Sequence, residues 1–270
     1  MAIPIRSEQL FDAASLDDEL LDLLGPRLSG LVAAAVSGDR PRLHQAERDW
    51  AEAAIRALDI RIDVVGLGSV DPRRRYVVAP LHEGFADVLA LLRLPLDLNW
   101  VIRDELLELP YFGEYLDAAG HIAVTPELPR SAIRRIWRGA EETFSRGESL
   151  VVFPQGTVLG LEAAFQAGAF HLAERFDSAL LPVVLTGSHR VWEYPFAATL
   201  RRGQHIRLEV LDPIEPGDAV AGMRAIERQM KQRALDATTA PARRYLPKRD
   251  GIWPGYRFDI DPDYAVDVAI

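Results

Sequence analysis

The 270 residues carry 31 Lys and Arg against 40 Asp and Glu, a formal charge of −9, with a pI near 5.2. That balance lacks the basic footprint of a general nucleic-acid binder. The absence of cysteine excludes disulfides, thiolate metal sites and a cysteine nucleophile.

The start, Met1-Ala2-Ile3-Pro4-Ile5-Arg6, has no apolar core of a signal peptide. Residues 7–58 predict three or four helices, punctuated at Gly25-Pro26 and Gly38-Asp39. Ser15 with Asp18 resembles a capping box ahead of Leu20 and Leu21. Pro41 to Leu58 predicts one continuous helix with an apolar stripe through Leu43, Ala46, Trp50 and Ala54. Within it, His44 and Asp49 have a His-x4-Asp spacing, but positions five apart on a helix point about 140° from each other. They cannot act as a pair there. From Ile60 the rhythm changes to alternating strands and helices. Strands are expected at 60–65, 76–79, 98–102, 121–124, 149–153, 180–185 and 205–211. Helices are expected at 85–93, 111–118, 130–145, 164–176 and about 217–236. No apolar run approaches the ~20 residues that span a bilayer, so a cytoplasmic protein is expected, with room for peripheral contact on the inner face of the membrane.

This alternation predicts an α/β fold: a mixed, mostly parallel central sheet of six to seven strands, helices on both faces and a helical N-terminal segment. The expected organisation is 1–58 helical, 59–236 the α/β domain and 237–270 an extended tail packed on it. Ligands of such sheets bind outside the carboxyl ends of the strands, and two segments fall there. In Leu81-His82-Glu83-Gly84-Phe85-Ala86-Asp87, a strand ends at Pro80 and Gly84 lets the chain turn. His82 on the loop can then face Asp87 on the following helix. In Val151-Val152-Phe153-Pro154-Gln155-Gly156-Thr157, a strand breaks into a Pro/Gly loop whose amides are candidate oxyanion donors.

Other features are weaker. Arg130, Arg134, Arg135 and Arg138 form a basic stripe, suited to an acyl-carrier protein, coenzyme A phosphates or anionic lipid, or simply to solvent. Arg130 and Arg134 are the candidate anion ligands. Trp192-Glu193-Tyr194-Pro195-Phe196 suits a membrane interface, an acyl tunnel or core packing. Gly66-Leu67-Gly68 lacks the third glycine of a dinucleotide loop. Gly-x-Ser-x-Gly is absent, and the six histidines show no metal-ligand spacing.

The His82/Asp87 block and Phe153-Pro154-Gln155-Gly156-Thr157 resemble signatures of the glycerolipid (lysophospholipid) acyltransferase superfamily. So do Phe165-Gln166-Ala167-Gly168-Ala169-Phe170 and Leu181-Pro182-Val183-Val184, in the same order over residues 76–187. The resemblance implies His82 as general base, Asp87 as its orienting partner, Phe153–Thr157 as the oxyanion and acceptor loop, and acyl-CoA or acyl-carrier protein as co-substrate. It implies no permanently bound cofactor and no metal. The family's motif arginines fall on Pro126 and Val158, and its motif glutamate on Gln155. The expected function is therefore acyl transfer to a hydroxyl or amine of a lipid or specialised-metabolite acceptor other than lysophosphatidate. The alternatives are a conventional lysophosphatidate acyltransferase, a non-catalytic acyl-binding or interaction module, and thioester hydrolysis.

Overall fold

The computed structural model describes residues 18–108, 112–126, 128–157, 161, 163–191 and 201–237, with side chains from residue 27 onward. Seven strands form one sheet: β1 (Arg61–Val65), β2 (Tyr76–Pro80), β3 (Leu98–Arg103), β4 (Ile122–Val124), β5 (Ser149–Val151), β6 (Ala179–Thr186) and β7 (His205–Val210). The helices are α1 (Asp18–Val36), α2 (Arg40–Ala57), α3 (Asp87–Leu91), α4 (Phe112–Ala118), α5 (Pro129–Ser145), α6 (Gly168–Arg175) and α7 (Pro216–Ala237). Spatial order is β1-β7-β6-β2-β5-β3-β4. Every pairing is parallel except β6 with β7. This is the mixed, mostly parallel sheet that the alternation predicts.

The central strands are buried on both faces, as parallel strands must be: all residues of β2 and β6 are buried. Their side chains alternate between two cores. Tyr76, Val78, Leu181 and Val183 join Ala54 and Ile55 of α2 and Leu89 of α3 on one face. Val77, Ala79, Leu180 and Val184 join Phe144 of α5, Phe170 of α6 and Met230 of α7 on the other. The N-terminal helices are thus continuous with the sheet. α2 contributes to its core, and α1 packs Leu31, Ala34 and Ala35 with Leu43, Tyr115 and Ala119.

Several boundaries differ from expectation. α1 runs through Gly25-Pro26, so residues 18–58 hold two helices. Packing of its second half offsets the backbone donor that proline removes. α2 begins one residue before Pro41, with Asp39 as N-cap accepting from the Arg42 amide at 3.1 Å. α3 is only five residues, and α6 starts at Gly168 rather than 164. There Gln166 donates its amide to the Pro154 carbonyl at 2.8 Å, which holds the preceding segment against the site loop instead of in a helix. The residues of the Ser15 capping box, the aromatic run 192–196, Val158 and the tail beyond 237 lie outside the described residues.

Candidate active site

Strand order and connection together create the crevice. β2 exits to α3 on one face of the sheet, whereas β5, its neighbour, exits towards α6 on the other. Two loops leaving adjacent strands for opposite faces open a cleft at the carboxyl edge. The register then levels the two loops. Val77 lies opposite Leu150 and Val78 opposite Val151, so positions 82 and 155, each four residues past the second pair, come level. The Oε1 of Gln155 accepts the His82 backbone N–H at 3.1 Å.

The expected pair is formed. His82 Nδ1 lies 2.6 Å from Asp87 Oδ2, and the same oxygen accepts the amides of Glu83 at 2.8 Å and Gly84 at 3.1 Å. The tight 82–87 turn, closed by Asp87 N–H donating to Gly84 O at 3.2 Å, brings the helix's first residue back under the loop. Asp87 is fully buried while the imidazole keeps 17% of its surface exposed. A carboxylate accepting at Nδ1 sets the tautomer, so Nδ1 carries the proton and Nε2 is left basic. The ring stacks on Phe153, with centroids 3.8 Å apart and planes 20° from parallel. Two loops therefore fix one imidazole.

The second loop is shaped differently from the sequence expectation. Gly156 adopts φ +65° and its N–H donates to Phe153 O at 3.1 Å, so that amide closes the turn. Gln155 and Thr157 are buried beside it. Asp87 Oδ1 and Thr157 Oγ1 are buried without a hydrogen-bond partner among the described residues. Among those residues no group of three or more His, Asp or Glu is placed to hold a metal ion. Arg130 and Arg134 stand exposed on α5.

Glu83 was missed by sequence reasoning, and so was its partner. Its Oε2 accepts the Gly187 amide at 2.8 Å and lies 2.9 Å from His189 Nδ1. The His82 loop is thereby tied to the exit of β6. Gly84 is packed so closely there that an added Cβ would sit 3.1 Å from His189 Cα. A larger omission is the charge cluster under α2. His44, 2% exposed, contacts Glu47 at 2.9 Å and Glu148 at 3.0 Å. Arg40 Nε donates to Glu148 at 2.5 Å, and Tyr115 Oη to Glu47 at 2.6 Å. Burial opposes charge on His44, but Glu148 and Glu47 outweigh it and raise its pKa to about 9. Glu148 is likewise opposed by burial and nevertheless lowered to about 2 by His44 and Arg40. Burial lowers His121 to about 4. Asp49 is exposed and accepts from Gln45 at 2.9 Å, so the His44–Asp49 spacing makes no pair. Of these contacts only His44–Glu47 is local; Glu148 lies 104 residues from His44 and Tyr115 lies 68 from Glu47.

The fold and the pair define a class: a mixed, mostly parallel sheet that holds a histidine against a buried carboxylate at its carboxyl edge. The Acyltransferase family profile matches residues 61–186. The 1-acyl-sn-glycerol-3-phosphate acyltransferase of Helicobacter pylori is 28% identical over 157 residues, 56% of this chain and 65% of that protein. That of Pseudomonas aeruginosa is 26% identical over 161 residues, 57% and 61% respectively. The chain thus spans less than two thirds of the length of these relatives. In fold it matches the crystal structure of the 1-acyl-sn-glycerophosphate (LPA) acyltransferase PlsC from Thermotoga maritima, with a TM-score of 0.63 at 18% identity. That match covers 76% of this chain and 83% of that one. The chain is thus similar to the Acyltransferase family over residues 61–186, a little under half of its length.

Proposed function

We propose that this protein transfers an acyl group from a thioester, coenzyme A or carrier protein, to the free hydroxyl of a 1-acyl-glycerol-phosphate type lysolipid. The observation that carries the chemistry is the His82–Asp87 pair at 2.6 Å, with Nε2 left basic beside the Phe153–Thr157 loop. Nε2 takes the acceptor's hydroxyl proton as its oxygen attacks the thioester carbon. The resulting tetrahedral adduct collapses by breaking the C–S bond, and the leaving thiolate recovers the proton from His82. Asp87 stabilises the imidazolium between these steps.

On the acceptor, the relatives favour the conventional alternative over the other acceptors that the sequence suggests, because they carry lysophosphatidate acyltransferase names. Phosphate needs charge-assisted donors, and position 126 supplies none. Arg103 is a candidate replacement. It ends β3 level with Val124 of β4, two residues before Pro126, and its Nε donates to Glu105 at 2.8 Å. Thiol release from acyl-CoA should require an acceptor and be fastest with lysophosphatidate. Equal release with water alone would replace this reading with thioester hydrolysis. Faster transfer to a lysolipid without a phosphomonoester would restore the other acceptors.

A further inference from the structure

Asp87 is held out of water through one of its oxygens. The residue is fully buried, and its Oδ1 has no partner among the described residues. Oδ2 accepts from His82 Nδ1 at 2.6 Å and from the amides of Glu83 at 2.8 Å and Gly84 at 3.1 Å. Both amides belong to the loop between β2 and α3, whose own sequence, with Gly84 in it, imposes no single shape. A contact from β6 supplies the missing constraint. Pro80 pairs with Val183, and the parallel register carried on by three residues sets Glu83 level with Thr186, where β6 ends. There a single oxygen of Glu83, Oε2, accepts the Gly187 amide at 2.8 Å and Nδ1–H of His189 at 2.9 Å. The anchor is firm on its own side. His189 sits in the 3-10 turn Ser188–Arg190, where Arg190 N–H donates to Gly187 O at 3.1 Å and Val191 N–H to Ser188 O at 3.0 Å. Ser188 and Val191 are buried. Glu83 keeps only 9% of its side chain exposed, so little water competes for these bonds.

We propose that Glu83 and His189 form the positioning pair of this site: they keep the Glu83 and Gly84 amides on Asp87 Oδ2 and so set how Asp87 meets His82. The inference rests on the reading of His82 as the base and names what holds that base in place. Glu83 faces both ways. Its backbone amide serves Asp87, while its carboxylate fixes the loop to β6. Bonds to a carboxylate are charge-assisted and roughly twice as strong as neutral ones, which suits a tether between two loops. His189 adds direction. Its ring sits on a closed turn, so Oε2 is held between two donors of fixed position. Release of the tether lets the loop drift, and a misplacement of about 1 Å in a reacting group costs about 10²-fold in rate. An ordinary stabilising pair at the same place would lower stability when cut and leave the His82–Asp87 contact as it is.

The test compares Glu83→Ala, Glu83→Gln and His189→Ala in the full chain, with far-UV circular dichroism to show that each is folded. The first measurement needs no turnover. A proton held between imidazole and carboxylate resonates well downfield of the amides in the 1H NMR spectrum, and that of His82 is assigned by its loss in His82→Gln. It should be present in wild type and shift upfield or broaden away in both alanine variants. It should return in Glu83→Gln, whose side-chain oxygen can accept the same two hydrogen bonds. The second measurement is thiol release. In Glu83→Ala, kcat and kcat/KM should fall together by about 10–10²-fold with KM unchanged. His189→Ala, which leaves the Gly187 amide in place, should lose less, and Glu83→Gln should recover most of the rate. If Glu83→Ala does not fold, His189→Ala and Glu83→Gln carry the same comparison. An unmoved resonance in the folded alanine variants would overturn the proposal, even with stability lowered. So would its absence from wild type, or equal behaviour of Gln and Ala at position 83. Because the resonance is read without substrate, its expected behaviour in a protein that transfers no acyl group would count against the proposed function alone.

Discussion

At the scale of single residues the site depends on how one imidazole is held. His82 is gripped at three points: Nδ1 by Asp87, its ring face by Phe153, and its backbone amide by Gln155. His82→Ala should lower kcat by roughly 10²–10⁴-fold, the usual contribution of a positioned base. The melting temperature should barely move, because the side chain is on a loop and fills little core. A loss below tenfold in a thiol-release assay would remove His82 from the chemistry. Gln155 is the residue where the family pattern has glutamate, yet what the amide of His82 uses is a carbonyl-type oxygen, which both side chains present. Gln155→Leu should leave that amide unpartnered, at a cost of about 1–3 kcal/mol, and reduce kcat. Gln155→Glu should retain the grip and most of the activity. Equal activity in the Leu and Glu variants would show that this hydrogen bond does not position the base.

Among elements, the close approach of loops decides most. The turn after β2 is pinned to the exit of β6 through Glu83 and by the bare Cα of Gly84 against His189. Gly84→Ala places a methyl 3.1 Å from backbone atoms that have no rotamer to give way. A stability loss of about 1–3 kcal/mol is expected, with activity falling further than stability because His82 shifts with the loop. Denaturant unfolding beside kcat measurements would separate the two effects. An unchanged kcat would mean that the loops move independently. A second clamp lies behind the site. Lys231 of α7, fully buried, pairs with Glu227 at 2.9 Å. Glu227 in turn accepts the Phe165 amide at 2.8 Å, just before α6. The helix therefore braces the segment returning from the Phe153–Thr157 loop.

For the whole molecule, the cluster joining α2 to β5 and α4 governs stability against pH. His44 is raised from 6.5 to about 9 by its two glutamates, so the folded state holds a proton that the unfolded state has lost. Its contribution is complete below 6.5 and disappears as pH rises towards 9. His121, lowered to about 4, acts oppositely: the unfolded state takes a proton first, and stability falls as pH drops from 6.5 to 4. The melting temperature should therefore be highest near neutrality and decline on both sides. His44→Gln should melt lower at neutral pH, since buried Glu47 loses its cation and Glu148 is left with Arg40 and Arg146 alone, and it should lose the decline between 6.5 and 9. The folded variant should keep wild-type kcat, as His44 is remote from the crevice chemistry. A variant that retains the alkaline decline would show that another group causes it.

The alternation of strands and helices, the two cores and the His82–Asp87 turn were legible because they are local: period, turn chemistry and a five-residue spacing lie within one stretch of chain. The same logic rejected His44–Asp49, since helix geometry separates them whatever surrounds them. Tertiary structure decided what depends on register and distance. Only the β2–β5 pairing brings Gln155 level with His82, and only the fold of α2 over β5 makes a charged hub of His44, Glu47 and Glu148. The continuity of α1 through Gly25-Pro26 and the delayed start of α6 belong there too. Packing and a single hydrogen bond to the Pro154 carbonyl outweigh backbone propensities worth about 1–3 kcal/mol per residue. Sequence alone determined the fold class and the meeting of His82 with Asp87, because those rest on nearest neighbours. Tertiary structure alone decided how the His82 ring and amide are held and how the buried charge cluster forms, because those contacts join residues about seventy to a hundred positions apart.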